Sequence, residues 1–163
     1  ASFEWLARSN IKLSCNYLFD EFVLDDEQKQ EGKGHGRAHS LKGVYTPIKT
    51  KTSIISIYTS SISVGTNTFR HESGYNNFIQ RNKPLGWEYS SDGRKFNLGL
   101  NYYNKENMIG NIEFGKHETG GERITLNLYD AYSDYLTGPF PSGVVNETIY
   151  ASGRLQWWKK PNI

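Results

Sequence analysis

Residues 65–93 hold Tyr75, Trp87 and Tyr89 beside Arg70, Asn76, Asn77, Arg81 and Asp92. A later stretch, 118–146, holds Tyr129, Tyr132 and Tyr135 with Asp130 and Asp134. Flat aromatic rings stack on the C–H face of a pyranose. Carboxylates and amides bond its hydroxyls, and the arginine fork pairs with acidic groups such as a uronate. The first stretch has little periodicity, and binding side chains sit in loops more often than in cores. Arg70, Tyr75, Arg81, Trp87, Asp92, Tyr132 and Tyr135 are therefore the candidate ligand-binding residues. For any one of them a structural role carries equal or greater weight, since Arg70, Arg81, Asp92 and Arg94 also suit a salt-bridged plug inside a lumen.

Other chemistry-bearing groups point to nothing comparable. His71 and Glu72 are adjacent, and on a strand adjacent side chains point to opposite faces, so they make a poor base and orienter. No Ser or Cys nucleophile motif accompanies them. Glu113, Asp130 and Asp134 are carboxylates of the kind glycoside hydrolysis uses in pairs, but that chemistry turns on a separation that sequence does not give. His35 and His39 lie four apart, in the glycine-rich run Gly34-His35-Gly36-Arg37-Ala38-His39. Glycines place that run in a loop, and Lys33 and Arg37 disfavour a cation. Asp130, Ser133 and Asp134 lack the spacing and closing Glu of a calcium loop. The Gly32–Arg37 run has no Walker or dinucleotide pattern. The acidic run Asp25-Asp26-Glu27 reads as a solvated loop. We expect no catalytic site, no metal and no cofactor.

The elements that must position these loops are strands. The chain has 163 residues, enough for one domain with a real core. Its 11 Tyr, 8 Phe and 4 Trp against a single Met, with 16 Gly, suit a sheet rich in turns. A net charge of +2 with mixed signs gives no field that calls for nucleic acid. The single cysteine, Cys15, leaves the redox compartment open. No apolar run approaches the ~20 residues of a spanning helix. The start at Ala1, without a signal-like region, fits a processed chain or a piece of something longer.

Period-2 patterns mark strands at 11–20, 39–47, 53–64, 95–103, 108–116 and 148–158. On the first, Ile11, Leu13, Cys15, Tyr17 and Phe19 oppose Lys12, Ser14, Asn16 and Asp20. Phe96, Leu98, Leu100 and Tyr102 oppose Asn97, Gly99, Asn101 and Tyr103. Ile112 and Phe114 oppose Asn111, Glu113 and His117. Ile149, Ala151, Gly153, Leu155 and Trp157 oppose Tyr150, Ser152, Arg154 and Gln156. Residues 53–64 are ambiguous, with isoleucines on both faces. Long connections at about 21–38, 65–93 and 118–146 alternate with short ones, so long loops share one end of an antiparallel up-and-down meander.

That layout fits two all-β architectures: a soluble sandwich, or a transmembrane β-barrel with a wet lumen. Strand lengths near ~9–11 residues favour the barrel. So do Tyr102, Tyr103, Trp157 and Trp158 at the short-turn end, where an interfacial aromatic girdle would lie. Six strands are too few for closure, which takes about eight. Either residues 123–129 and part of 86–91 add two, or the chain is a portion of a larger barrel.

A resemblance sharpens the choice. The segment Thr68-Phe69-Arg70-His71-Glu72-Ser73-Gly74-Tyr75-Asn76-Asn77-Phe78 continues through Arg81-Asn82-Lys83-Pro84-Leu85-Gly86-Trp87 and Ser91-Asp92-Gly93 into Leu98-Gly99-Leu100. The arginine, the Pro-Leu-Gly turn, the Ser-Asp pair and the Leu-Gly strand resemble the C-terminal part of the capsule-assembly Wzi-like outer-membrane proteins. Tyr132-Ser133-Asp134-Tyr135 and Gly138-Pro139-Phe140-Pro141-Ser142-Gly143 add to the resemblance, which spans about residues 69–158. It implies a bacterial outer-membrane barrel, or its C-terminal portion, that touches outer-membrane lipid and binds or organises surface polysaccharide. It implies lectin-like rather than enzymatic behaviour. The alternatives are a soluble β-sandwich carbohydrate-binding module and a barrel enzyme acting on glycans or lipids.

Overall fold

A computed structural model describes residues 1–70, 78–126 and 138–159. The chain is all-β. Seven strands form one antiparallel sheet in sequence order: β1 (Ser2–Arg8), β2 (Ile11–Glu21), β3 (Gly36–Lys49), β4 (Ser53–Val64), β7 (Gly93–Asn104), β8 (Met108–Thr119) and β9 (Asn146–Trp157). Between β4 and β7 lies a small hairpin of β5 (Ile79–Gln80) and β6 (Lys83–Pro84). Among the described residues β1 and β9 are free edges, so the sheet is open rather than closed on itself.

Six of the seven sheet strands fall where alternation places them, and most run a few residues longer. β1 is the addition. Residues 86–91 contribute an isolated bridge between Trp87 and Ser90 rather than a strand. Residues 124–126 form a turn, and 127–129 lie outside the described residues. The run Asp25-Asp26-Glu27, read as a solvated loop, instead opens a one-turn helix, α1 (Asp26–Gln30). The Asp25 carboxylate accepts from the Glu27 amide at 2.9 Å, and the acidic first turn complements the helix dipole.

Cross-strand register sorts every side chain to one of two faces. Gly43, Thr59, Leu98, Phe114 and Ala151 form one row across β3, β4, β7, β8 and β9. Tyr45, Ile57, Leu100, Ile112 and Gly153 form a neighbouring row on the same face. Phe96, Leu98, Leu100, Ile112, Phe114, Ile149 and Leu155 all lie on this face and are all exposed, up to 76% for Ile149. The opposite face carries Asn97, Asn101, Glu113, Arg154 and Gln156. There Asn97 is 8% exposed. The usual arrangement is inverted: the apolar side of the sheet is bare and the polar side is the more enclosed one. The ambiguity of β4 also resolves, because Ile55 and Ile57 join the apolar rows while Ile54 and Ile62 sit on the polar side.

Only Val23, Val64 and Ile124 are buried hydrophobics among the described residues. They gather at one end, where the connections 22–35, 65–92 and 120–145 meet. The turns 9–10, 50–52 and 105–107 occupy the other end.

Candidate functional site

The polar face is organised around Glu113 on β8. Tyr58 on β4 donates its hydroxyl to Glu113 Oε2 at 2.6 Å, and Tyr150 on β9 donates to Oε1 at 2.7 Å. Asn111 Nδ2 donates to the Tyr58 hydroxyl at 3.2 Å. Each tyrosine reaches the carboxylate by lying across a glycine on the neighbouring strand. Tyr58 pairs with Gly99 and Tyr150 with Gly115, and a Cβ on either glycine would overlap the ring. Glycine in a strand interior commonly marks such a close approach. Beside this bridge, Ser60 donates to the Asn97 side-chain oxygen. Both oxygens of Glu113 are thus engaged by phenols, which fixes it as an anchor and leaves it poorly placed to act as a base.

Toward the long-loop end the polar face continues as a run of rings. His117 stacks on Tyr89 with centroids 4.1 Å apart, Tyr89 meets Trp87 edge-on at 5.2 Å, and Tyr150 lies 6.2 Å from His117. Lys95 Nζ sits 5.5 Å from the Tyr89 centroid and 5.4 Å from that of Tyr150, while donating to Glu88 Oε1 at 2.9 Å. The Trp87 ring packs over Gly93, where a Cβ would press on it. Trp87 Nε1, Ser90 Oγ and His117 Nδ1 are buried atoms without a hydrogen-bond partner in the described structure. The group combines flat rings, one cation and neutral donors, a set suited to hydroxyl-rich ligands.

The long loops are tied to this end by Asp92. Its backbone adopts φ 55°, and its side chain is fully buried. The carboxylate accepts from Thr66 Oγ1 at 2.9 Å, the Glu122 amide at 3.0 Å, the Ser142 amide at 2.9 Å and Ser142 Oγ at 2.5 Å. Gly120 lies so close that a Cβ there would overlap the carboxylate. One side chain therefore joins the 65–92 and 120–145 connections.

The candidate residues from sequence separate accordingly. Arg70 and Asp92 converge on Glu122, Arg70 through its guanidinium on the Glu122 carbonyl. Asp92 is a loop staple with its acceptors filled. Trp87 belongs to the ring group. Arg81, with φ 49°, and Asn82, with φ 61°, form the two-residue turn of the β5–β6 hairpin, where positive φ at both positions is the type I′ requirement. Arg81 is exposed there. Tyr75, Tyr132 and Tyr135 lie outside the described residues, as do His71, Glu72, Asp130 and Asp134. The salt-bridged plug does not form as drawn: Arg94 lies on the other face and bonds Glu118 at 2.5 Å, and Asp92 bonds neutral donors. His35 Nδ1 accepts from the Val23 amide at 3.1 Å, a local role.

Lys95, His117, Glu113, Tyr58 and Tyr150 were not singled out from sequence as a group. Their signal lay in alternation, which puts Lys95, His117 and Tyr150 on the polar side, and in Gly99 and Gly115 within strand interiors. The register that joins them was the missing piece.

No family model, curated protein or solved structure matches the chain.

Proposed function

We propose that this chain is part of a bacterial outer-membrane β-barrel that binds or organises surface polysaccharide. The observation that carries the membrane half is the bare apolar face, continuous from β1 to β9, with no second sheet over it among the described residues. A soluble sandwich would bury that face. Strands of 12 residues are ~40 Å long and, tilted by ~45°, rise ~28 Å, close to the ~30 Å hydrocarbon core. At the long-loop end the apolar rows give way to a row of Arg94, Glu118 and Glu147, with Lys116 bridging the two glutamates at 2.8 Å each. Such a belt suits the headgroup boundary. Tyr102 and Trp157 approach the short-turn end of the same face, where an aromatic girdle belongs.

The glycan half rests on the ring group at the long-loop end, with Arg70 and Arg81 in the same 65–92 connection as Trp87 and with Tyr75, Tyr132 and Tyr135, which lie outside the described residues, as further candidates from the sequence. Rings and neutral donors take hydroxyls, and the exposed loop arginine Arg81 takes acidic groups. Two measurements test the reading. The chain should fold as a monodisperse species only in detergent or lipid. A folded sample on a glycan array should retain a polysaccharide that Trp87→Ala with Tyr89→Ala does not. Monodisperse folding in plain buffer would return the molecule to the soluble binding module, and hydrolytic turnover of a retained glycan would make it an enzyme.

A further inference from the structure

The two free edges of the sheet are unequal. β1 is 7 residues long and its register shifts between Leu6 and Arg8. β9 runs 12 residues in unbroken register with β8, contains no proline, and carries no charge other than Glu147 and Arg154. Natural sheets blunt a free edge with bulges, prolines or lysines. β9 uses none of these, as expected of an edge meant to be paired.

Strand direction decides what fits there. β1 runs from Ser2, opposite Asn16, to Arg8 at the 9–10 turn. β9 runs from Asn146, opposite Thr119, to Trp157, opposite Met108. Both run from the long-loop end to the short-turn end, as the first and seventh strands of an antiparallel meander must. Closing β9 on β1 would create a parallel seam in an otherwise antiparallel sheet, with fewer than the about eight strands of a small filled barrel. A second copy in the same membrane orientation offers the same two edges, both running the same way. Inverting that copy to pair β9 with β9 would send its long loops to the opposite side of the bilayer.

We propose that the free edge of β9 receives an antiparallel strand running from the short-turn end to the long-loop end, supplied by polypeptide other than a second copy of residues 1–163. The inference rests on the membrane reading above. The incoming strand is apolar beside Ile149, Ala151 and Leu155 and polar beside Tyr150 and Ser152. It carries a carboxylate near Arg154, which forms no ion pair among the described residues. The completed barrel then has the even strand number of bacterial single-chain barrels.

The test uses a synthetic twelve-residue peptide with that alternation, an aspartate placed to meet Arg154, and a cysteine at one terminus or the other. It is mixed in micelles with Cys15→Ser chains carrying either Thr148→Cys or Gln156→Cys. Antiparallel docking joins the peptide C-terminus to position 148 and its N-terminus to position 156, with disulfide yields about tenfold above the reverse combinations. Equal yields, a reverse preference, no disulfide, or a disulfide between Thr148→Cys and Ser2→Cys of two copies would overturn the proposal. In the unsubstituted chain the peptide should slow β9 amide exchange about tenfold while sparing β4, and unchanged exchange counts against it. A chain that is monodisperse without detergent defeats the membrane reading instead, whatever the peptide does.

Discussion

The two faces of this sheet are built from the same strands and obey different rules. On the apolar face the side chains share a chemistry but few specific partners. Leu98, Phe114 and Ala151 sit in one row with no hydrogen bond to satisfy and, among the described residues, no neighbouring layer to fit. On the polar face the groups at its centre have defined partners: Tyr58 and Tyr150 meet one carboxylate, each across a glycine that leaves it room. A face that meets a fluid solvent needs only the right polarity, whereas a face that encloses polar groups must place each one. The contrast is what a lipid-facing and a lumen-facing surface would require.

The largest effect should come from the staple at the end of the polar face. Asp92→Ala removes the acceptor for Thr66, the Glu122 amide and both donors of Ser142. Stranding that many buried donors should cost roughly 3–5 kcal/mol. Urea unfolding in micelles would measure it. A loss below about 1 kcal/mol would mean the loops are held by something else.

The faces themselves are compared by one substitution made on each. Leu98→Arg puts a cation into the apolar band and should cost roughly 2–4 kcal/mol if it lies near the bilayer midplane. Asn101→Arg, on the exposed part of the polar face, should cost less than about 1 kcal/mol. Equal costs measured in the same lipid would erase the distinction between the faces.

How much of this contrast was readable beforehand varies by element. β7, β8 and β9 alternate almost without exception, so which residues share a face follows from period 2 alone. β4 does not, because Ile54 and Ile62 occupy polar-face positions among small serines, and only its neighbours' register resolves it. In β1 Leu6 interrupts the alternation of Phe3, Glu4 and Trp5 just where the register slips. Helix α1 is 5 residues, too short for a helical period, although its Asp25 cap was visible as a residue type. The Asp92 staple joins positions 26 and 50 residues apart, and no local pattern encodes that. Trp87 and Tyr89 were found as aromatics in a loop, but their neighbour His117 emerges only once β7 and β8 are in register.

Packing on the polar face gives a sharper probe than charge. Gly99→Val drives a branched side chain into the Tyr58 ring and must displace it from Glu113. Overpacking of this kind should cost roughly 1–3 kcal/mol. Gly110→Val, on the apolar face, has a Leu155 methyl 3.6 Å from its Cβ position and open surroundings, and should be nearly neutral. If Gly99→Val is as mild as Gly110→Val, the tyrosine–glycine pairs are ornamental.

Binding should follow the polar end and ignore the apolar band. An Arg81, Trp87 and Tyr132 triple alanine variant that still folds should lose glycan-array signal and cell-surface capsule retention. Unchanged behaviour would make those residues structural and end the lectin reading. An acidic glycan should also bind more weakly as salt rises, because exposed charge pairs are screened over about 8 Å at physiological ionic strength.

The smallest effect is expected where the two faces meet. Arg94 bonds Glu118 at 2.5 Å on the belt above the apolar rows, yet its side chain is 56% exposed. Water and salt screen such a pair, and holding a long side chain in one geometry costs entropy. Arg94→Ala should therefore change stability by no more than about 1 kcal/mol in neutral micelles. The apolar band ends at this row, which carries Arg94 and which Lys116 reaches from the row of Phe96 and Ile149, so the headgroup layer is what the two cations would touch. In vesicles containing anionic lipid, Arg94→Ala should lose more stability than in zwitterionic vesicles, by the order of 1 kcal/mol per cation at such a surface. Matched unfolding curves in the two lipids would test this. Identical losses would place Arg94 outside the interface and move the upper edge of the proposed lipid-facing band below β7 position 94.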